Sequence, residues 1–151
     1  MRDNPAYLDA LRLLARRELS EAQIRRRLAR KEHTPEHIDA AVDALRADRS
    51  LDDERVAGVI ARTEAGVRKR GRLRVKRRIE AAGIASGIAE RVVDDVFRDL
   101  DGEALIEAAL QKRLRGADRI ADERQSARLW RYLVGQGFEA DRVAALLRKY
   151  R

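Results

Sequence analysis

A pair of apolar residues four apart recurs three times in this chain without a gap: Ile24 and Leu28, Val75 and Ile79, Leu129 and Leu133. Each pair is followed five residues on by His33, Ile84 or Phe138, and ten residues on by Ile38, Ala89 or Val143. Ala41-Val42, Val92-Val93 and Leu146-Leu147 continue the register, and the offsets between copies are 51 and then 54 residues. Apolar positions spaced by three and four describe one face of a helix. Units this small bury little alone and gain by stacking on their neighbours. The predicted fold is therefore all-α: three tandem three-helix repeats, 1–49, 50–101 and 102–151, forming an elongated, curved helical solenoid. A single coiled coil fails as an alternative, because no heptad persists across the Gly and Pro breaks.

Local signals place the helices. Leu8, Leu11, Ala15 and Leu19 predict the inner face of the first. Ser20 opens the second, with Gln23 at the reciprocal position of a capping box. Thr34-Pro35 opens the third, since proline suits the first helical position, and Ile38, Ala41, Val42 and Leu45 line its inner face. Asp52 opens the fourth, with Leu51 and Val56 placed as a hydrophobic staple; Val56, Val59, Ile60, Thr63 and Val67 predict its buried stripe. Gly83 and Gly137 occupy the site where a chain leaves a helix at positive φ. The first copy has Glu32 there, so its turn should be less comfortable.

Composition removes several classes. No cysteine is present, which excludes disulfide scaffolds, thiolate zinc sites and cysteine nucleophiles. The longest uncharged stretch, Ala81 to Ala89, is nine residues, against the ~20 apolar residues of a membrane helix. The first residues carry no apolar signal core. A cytoplasmic protein without membrane contact is expected.

Apparent catalytic motifs fail on context. His33-Thr34-Pro35-Glu36-His37 matches an inverted zincin pattern, but a helix start between the two histidines separates them. Gly66 to Leu73 shadows a phosphate loop, yet lacks its Lys and Ser/Thr and follows no strand. Gly135-Gln136-Gly137 resembles a dinucleotide turn, but follows a helix and leaves no room for a second strand. No serine or carboxylate pair has a supporting context. The expectation is a protein that is not an enzyme and takes no cofactor or metal.

Charge is the informative feature. There are 34 Lys and Arg against 26 Asp and Glu, a net charge of +8. Arg68, Lys69, Arg70, Arg72, Arg74, Lys76, Arg77 and Arg78 put eight cations into eleven residues with no acid, divided by Gly71. Arg25, Arg26, Arg27, Arg30 and Lys31 form a second group on the equivalent helix of the first repeat. Either group could be a solvated face. Eight adjacent like charges, however, repel unless an anionic partner relieves them. Arginine suits phosphate and carboxylate alike. No aromatic lies between Ala65 and Ile88, which weakens a base-stacking platform within the basic stretch. Trp130, Tyr132 and Phe138 read as core and rim of the third repeat.

Tyr7, Ala10-Leu11, Leu14, Arg17-Glu18, Ser20, Ile24, Arg27 and Leu28 resemble the opening of the RecX family. Leu51-Asp52-Asp53-Glu54-Arg55 with Ala57 looks like that family's central signature. Arg68 to Gly71, Val75, Ile79 and Gly83-Ile84 resemble the basic segment that follows. The resemblance spans nearly the whole chain and is strongest in the first two repeats. Arg49-Ser50 stands where a Gly-aromatic pair is usual, Val56 where an aromatic is, and Glu32 where a turn glycine is. The resemblance implies a small cytoplasmic modulator of RecA. Such a protein binds the RecA filament on single-stranded DNA in its groove and inhibits ATP hydrolysis, strand exchange and coprotease activity. The chain is expected to act as a monomer, with at most weak direct DNA contact. Two rival readings are a basic helical protein acting directly on DNA or RNA, and a helical adaptor with no nucleic-acid contact.

Overall fold

The computed structural model describes residues 1–151. Nine α-helices and no strand make up the chain: α1 Pro5–Arg16, α2 Glu21–Arg30, α3 Pro35–Ala47, α4 Asp53–Arg62, α5 Arg72–Ala81, α6 Ser86–Arg98, α7 Gly102–Leu114, α8 Glu123–Gly135 and α9 Ala140–Lys149. A π-helical turn, Thr63–Val67, extends α4. None is long and apolar enough to cross a membrane.

The starts follow from the residues. Asn4 caps α1 ahead of Pro5. Ser20 and Gln23 form the expected capping box on α2. Thr34 caps α3 and Asp52 caps α4 through their side-chain oxygens. Each oxygen satisfies an amide that the first helical turn leaves unpaired.

Buried apolar residues gather into three separate cores. One holds Ala6, Ala10, Leu19, Ile24, Leu28, Ile38, Ala41, Val42, Leu45 and Leu51. The second runs from Val56 to Val93 and the third from Leu105 to Leu147. The closely packed helix pairs all lie within α1–α3, within α4–α6 or within α7–α9. The exposed surface is 9530 Å². A compact monomer of this mass would expose about 7,800 Å². The excess is what an extended array of small helical repeats produces.

The repeat register is visible in the packing. Ile24, Leu28, Val75, Ile79, Leu129 and Leu133 are all buried, as are Ile38, Ala89 and Val143. The contacts between second and third helices also recur at equivalent positions. Arg25 pairs with Asp39 at 2.7 Å and Lys76 with Glu90 at 4.0 Å. Glu21 meets Arg46, Arg72 sits 6.0 Å over the Phe97 ring, and Ser126 Oγ accepts from Arg151 at 3.2 Å.

Successive triplets join end to end through their second helices. Ser20 Oγ donates to the Ala82 carbonyl. At the equivalent place in the next junction, the Gly71 and Leu73 amides donate to the Gln136 and Gly137 carbonyls at 2.8 and 3.1 Å. The N-terminus of α2 thus meets the end of α5, and the N-terminus of α5 meets the end of α8. Donors at a helix start meet the unpaired carbonyls of a helix end, and the helix dipoles align head to tail. Asp53 adds a bridge, accepting the Glu21 amide at 2.8 Å. The two adjacent aspartates therefore cap different helices, Asp52 its own and Asp53 that of the preceding triplet.

Gly83 and Gly137 do leave their helices at φ +82° and +100°. A Cβ on Gly83 would strike Ala22 of the first triplet, and one on Gly137 would strike Arg74 of the second. Glu32 makes the same turn at φ +66°. It lies at the outer end of the array, where no preceding triplet approaches, so only the backbone strain of a left-handed residue remains.

Two predicted faces need correction. Leu8 and Leu11 are 39% and 36% exposed and Ala15 is exposed, while Ala6 and Ala10 are buried and Tyr7, Leu13 and Leu14 pack beside them. On α4 and its π-turn, Val59, Thr63 and Val67 are exposed, and Val56, Ala57, Ala61 and Ala65 are buried. In both helices close packing takes the alanine stripe inward, where helices approach more closely than branched side chains allow. Leu51 and Val56 are both buried but belong to different cores, so they do not staple one helix start.

Candidate functional site

The basic stretch begins where the π-turn ends and runs through the following loop into α5. Glu64, on the π-turn, is 6% exposed. Its Oε1 lies 3.1 Å from Arg68 and 3.9 Å from Arg78. Arg72 pairs with Asp94 at 2.6 Å. Lys76 pairs with Glu90 as described. Arg70 donates to the Gln136 side-chain carbonyl, and its Nε is buried with no acceptor. Arg74 donates to the Gly135 carbonyl at 3.3 Å. Lys69, at φ +55°, and Arg77 are exposed and have no carboxylate partner. The stretch has no acid in its own sequence, yet α6 and the π-turn supply three.

The first-triplet group behaves similarly. Arg25 bridges Glu21 at 3.1 Å and Asp39 at 2.7 Å. Lys31 lies 3.8 Å from Asp9, which also meets His33 Nε2 at 2.7 Å. Arg26, Arg27 and Arg30 form no ion pair; Arg27 is half-buried and the other two are exposed. Burial pushes the Glu21 carboxyl up, but the Arg46 and Arg25 guanidiniums outweigh it and hold it below its ordinary value. His33 thus joins an Asp9 cluster, while His37 is exposed on the first turn of α3.

Thirteen cations were expected at the site, and the structure divides them. Arg25, Lys31, Arg68, Arg72, Lys76 and Arg78 neutralise carboxylates. Arg26, Arg27, Arg30, Lys69, Arg70, Arg74 and Arg77 do not. Three of the latter stand next to the second junction. There, a groove of about 490 Å³ opens between the π-turn and the third triplet, lined by Val67, Lys69, Arg70, Lys112 and Tyr132 among others. Arg68 also lines it, and no carboxylate does. Val67 is 76% exposed, and Arg113 lies 3.8 Å over the Tyr132 ring. Lys112, Arg113 and Tyr132 were not legible as site residues, because only the junction brings the third triplet against the basic loop.

A profile of the first three-helix domain of RecX matches residues 6–45. The regulatory protein RecX of Halorhodospira halophila is 36% identical over 136 residues, covering 90% of this chain and 82% of that protein. The regulatory protein RecX of Chromohalobacter salexigens is 32% identical, covering 89% of this chain and 86% of that protein. The crystal structure of RecX from Lactobacillus salivarius superposes with a TM-score of 0.78 at 17% identity, over 99% of this chain and 98% of that one. A second, a crystal structure of regulatory protein RecX, gives 0.75 at 21% identity, over 95% and 70%. These two share the fold, and the sequence relatives settle the lineage: the chain belongs to the RecX family of regulatory proteins.

Proposed function

We propose that the chain binds the RecA filament on single-stranded DNA and lowers RecA's ATP hydrolysis, strand exchange and coprotease activity. Family membership carries this reading. It acts by binding, as a cytoplasmic monomer, and catalyses nothing itself. The units are the repeats 1–49, 50–101 and 102–151. An extended array of this kind suits a long groove better than a closed pocket. The contact is assigned to the basic stretch and the second junction, above all to Lys69, Arg70 and Arg77, whose charges no internal carboxylate satisfies. Arg26, Arg27 and Arg30 extend it along the first triplet.

The test is RecA's DNA-dependent ATPase. Substoichiometric protein should suppress it; unchanged turnover at equimolar protein would refute the reading. The +8 charge supports a second reading, direct nucleic-acid binding. A pure phosphate binder holds free DNA tightly at low salt and loses it steeply as salt rises.

A further inference from the structure

The three repeats cross their second and third helices through equivalent positions, and the third copy departs from the other two in one direction. In the first, Arg25 faces Asp39, with Asp43 one turn further along. In the second, Lys76 faces Glu90, with Asp94 one turn further. The equivalent residues in the third are Trp130, Ala144 and Arg148. The cation of the crossing pair has become an indole, its carboxylate has become a methyl, and the second carboxylate has become a guanidinium. Arg131 repeats Arg26 and Arg77. The result is a groove of about 560 Å³ between α8 and α9 in which Trp130, 39% exposed, stands among Arg131, Arg148 and Arg151. Glu123 is its only carboxylate, 3.5 Å from Arg151. Arg131 and Arg148 form no internal ion pair.

We propose that this groove binds single-stranded nucleic acid, with a base stacked on Trp130 and its phosphates held by Arg131, Arg148 and Arg151. Nothing inside the protein explains the departure. The indole keeps 39% of its surface in solvent, and the two unpaired arginines beside it gain no carboxylate. A nucleotide supplies what both lack, a flat apolar face and an adjoining anion. Ala127 and Ala144, which also line the groove, leave room beside the indole for a ring. Single-strand sites combine a cationic groove with an aromatic stacking face in this way. The site is distinct from the basic stretch and is tested without RecA.

Trp130 is the chain's one tryptophan, so its emission reports this groove alone. Oligothymidylate of about 12 nucleotides, within the usual range of single-strand sites, should quench it saturably. The log–log salt slope of the affinity should be about −2, the value for three phosphates on a single strand. Inorganic polyphosphate and poly-aspartate can engage the arginines but carry no base, so they should quench it far less. Ala144→Glu with Arg148→Asp restores the acids of the other two repeats. It should keep the helical circular dichroism and weaken quenching at least about tenfold. Arg148→Ala, which adds no new charge, should weaken it in the same direction and serves if the double variant unfolds. Absence of quenching by oligothymidylate overturns the proposal. So does equal quenching by either base-free polyanion, or unchanged affinity in a folded variant.

Discussion

The amide of Gly71 donates to the carbonyl of Gln136 at 2.8 Å, joining the start of α5 to the end of α8. Ser20 and Ala82 make the equivalent contact one repeat earlier through a hydroxyl. The array is thus held by a repeated helix-to-helix joint, to which Phe97 and Leu100 add contacts with both the second and the third core, and at Gly71 the joint is a backbone contact that a side chain would block.

Gly71→Ala should therefore be clearly destabilising. Its Cβ would fall within 3.0 Å of the Gly137 and Phe138 backbone, which cannot rotate away. A cost of about 1–3 kcal/mol is expected from overpacking, seen in urea denaturation. Gly66→Ala meets nothing within 4 Å and should cost far less. Glu32→Gly should stabilise by up to ~1 kcal/mol, relieving a left-handed residue with no neighbour to accommodate. Equal costs at Gly71 and Gly66 would show that the joint does not hold the triplets.

Leu28→Ala, Ile79→Ala and Leu133→Ala should each cost ~2–4 kcal/mol, the range for emptying a sealed aliphatic site. All three are fully buried, one in each core. Leu8→Ala and Leu11→Ala, exposed on α1, should cost under ~0.5 kcal/mol. Denaturant midpoints for the five variants separate the two sets.

The difference between those sets marks what the sequence carried. Repeat register, helix starts and turn glycines were legible because each is a local choice: a cap, a spacing, a backbone angle. The inner faces of α1 and α4 were not. Alanine and leucine stripes both have helical spacing, and which one turns inward depends on how closely the neighbouring helix approaches. The candidate site is half legible. The thirteen cations announce themselves in sequence, but their partners Glu64, Glu90 and Asp94 come from other elements. The aromatics Tyr132 and Trp130 read as core and rim of the third repeat, and only the packing shows which cations stand beside them.

Acid should loosen the α2–α3 contact of the first triplet through Glu21. Its folded pKa lies below the ordinary 4.5, because Arg46 and Arg25 outweigh its burial. Its stabilisation is thus present above that value and is lost as pH falls through the folded pKa. Asp9, held low chiefly by its hydrogen bond to His33, acts in the same sense. Asp53 opposes them: burial raises its carboxyl above 3.8, so it favours the fold at low pH and that contribution fades as pH rises. Glu21→Gln should flatten the acid limb of stability against pH. Asp53→Asn should gain stability near neutrality and lose that gain by about pH 3. Urea midpoints across this range give both slopes, and a wild-type curve unchanged by Glu21→Gln would remove Glu21 from the account.

Reversing charge on the basic stretch should separate folding from binding, provided the residues are chosen by their partners. Reversing Arg72 or Lys76 sets like charges against Asp94 or Glu90, so a loss of activity there is ambiguous. Lys69 and Arg77 are exposed and unpaired. Lys69→Glu with Arg77→Glu should leave helicity and the urea midpoint within ~0.5 kcal/mol of wild type. It should nevertheless raise the protein concentration needed to suppress RecA's ATPase. If both residues meet phosphates, the log–log salt slope of filament binding should become shallower by about 1.4, two single-strand contacts at ~0.7 each. If they meet carboxylates on a protein surface, affinity should fall while free single-stranded DNA competes poorly against wild type. A double reversal that inhibits at wild-type concentrations would leave the stretch as a solvated face and move the contact to Arg26, Arg27 and Arg30.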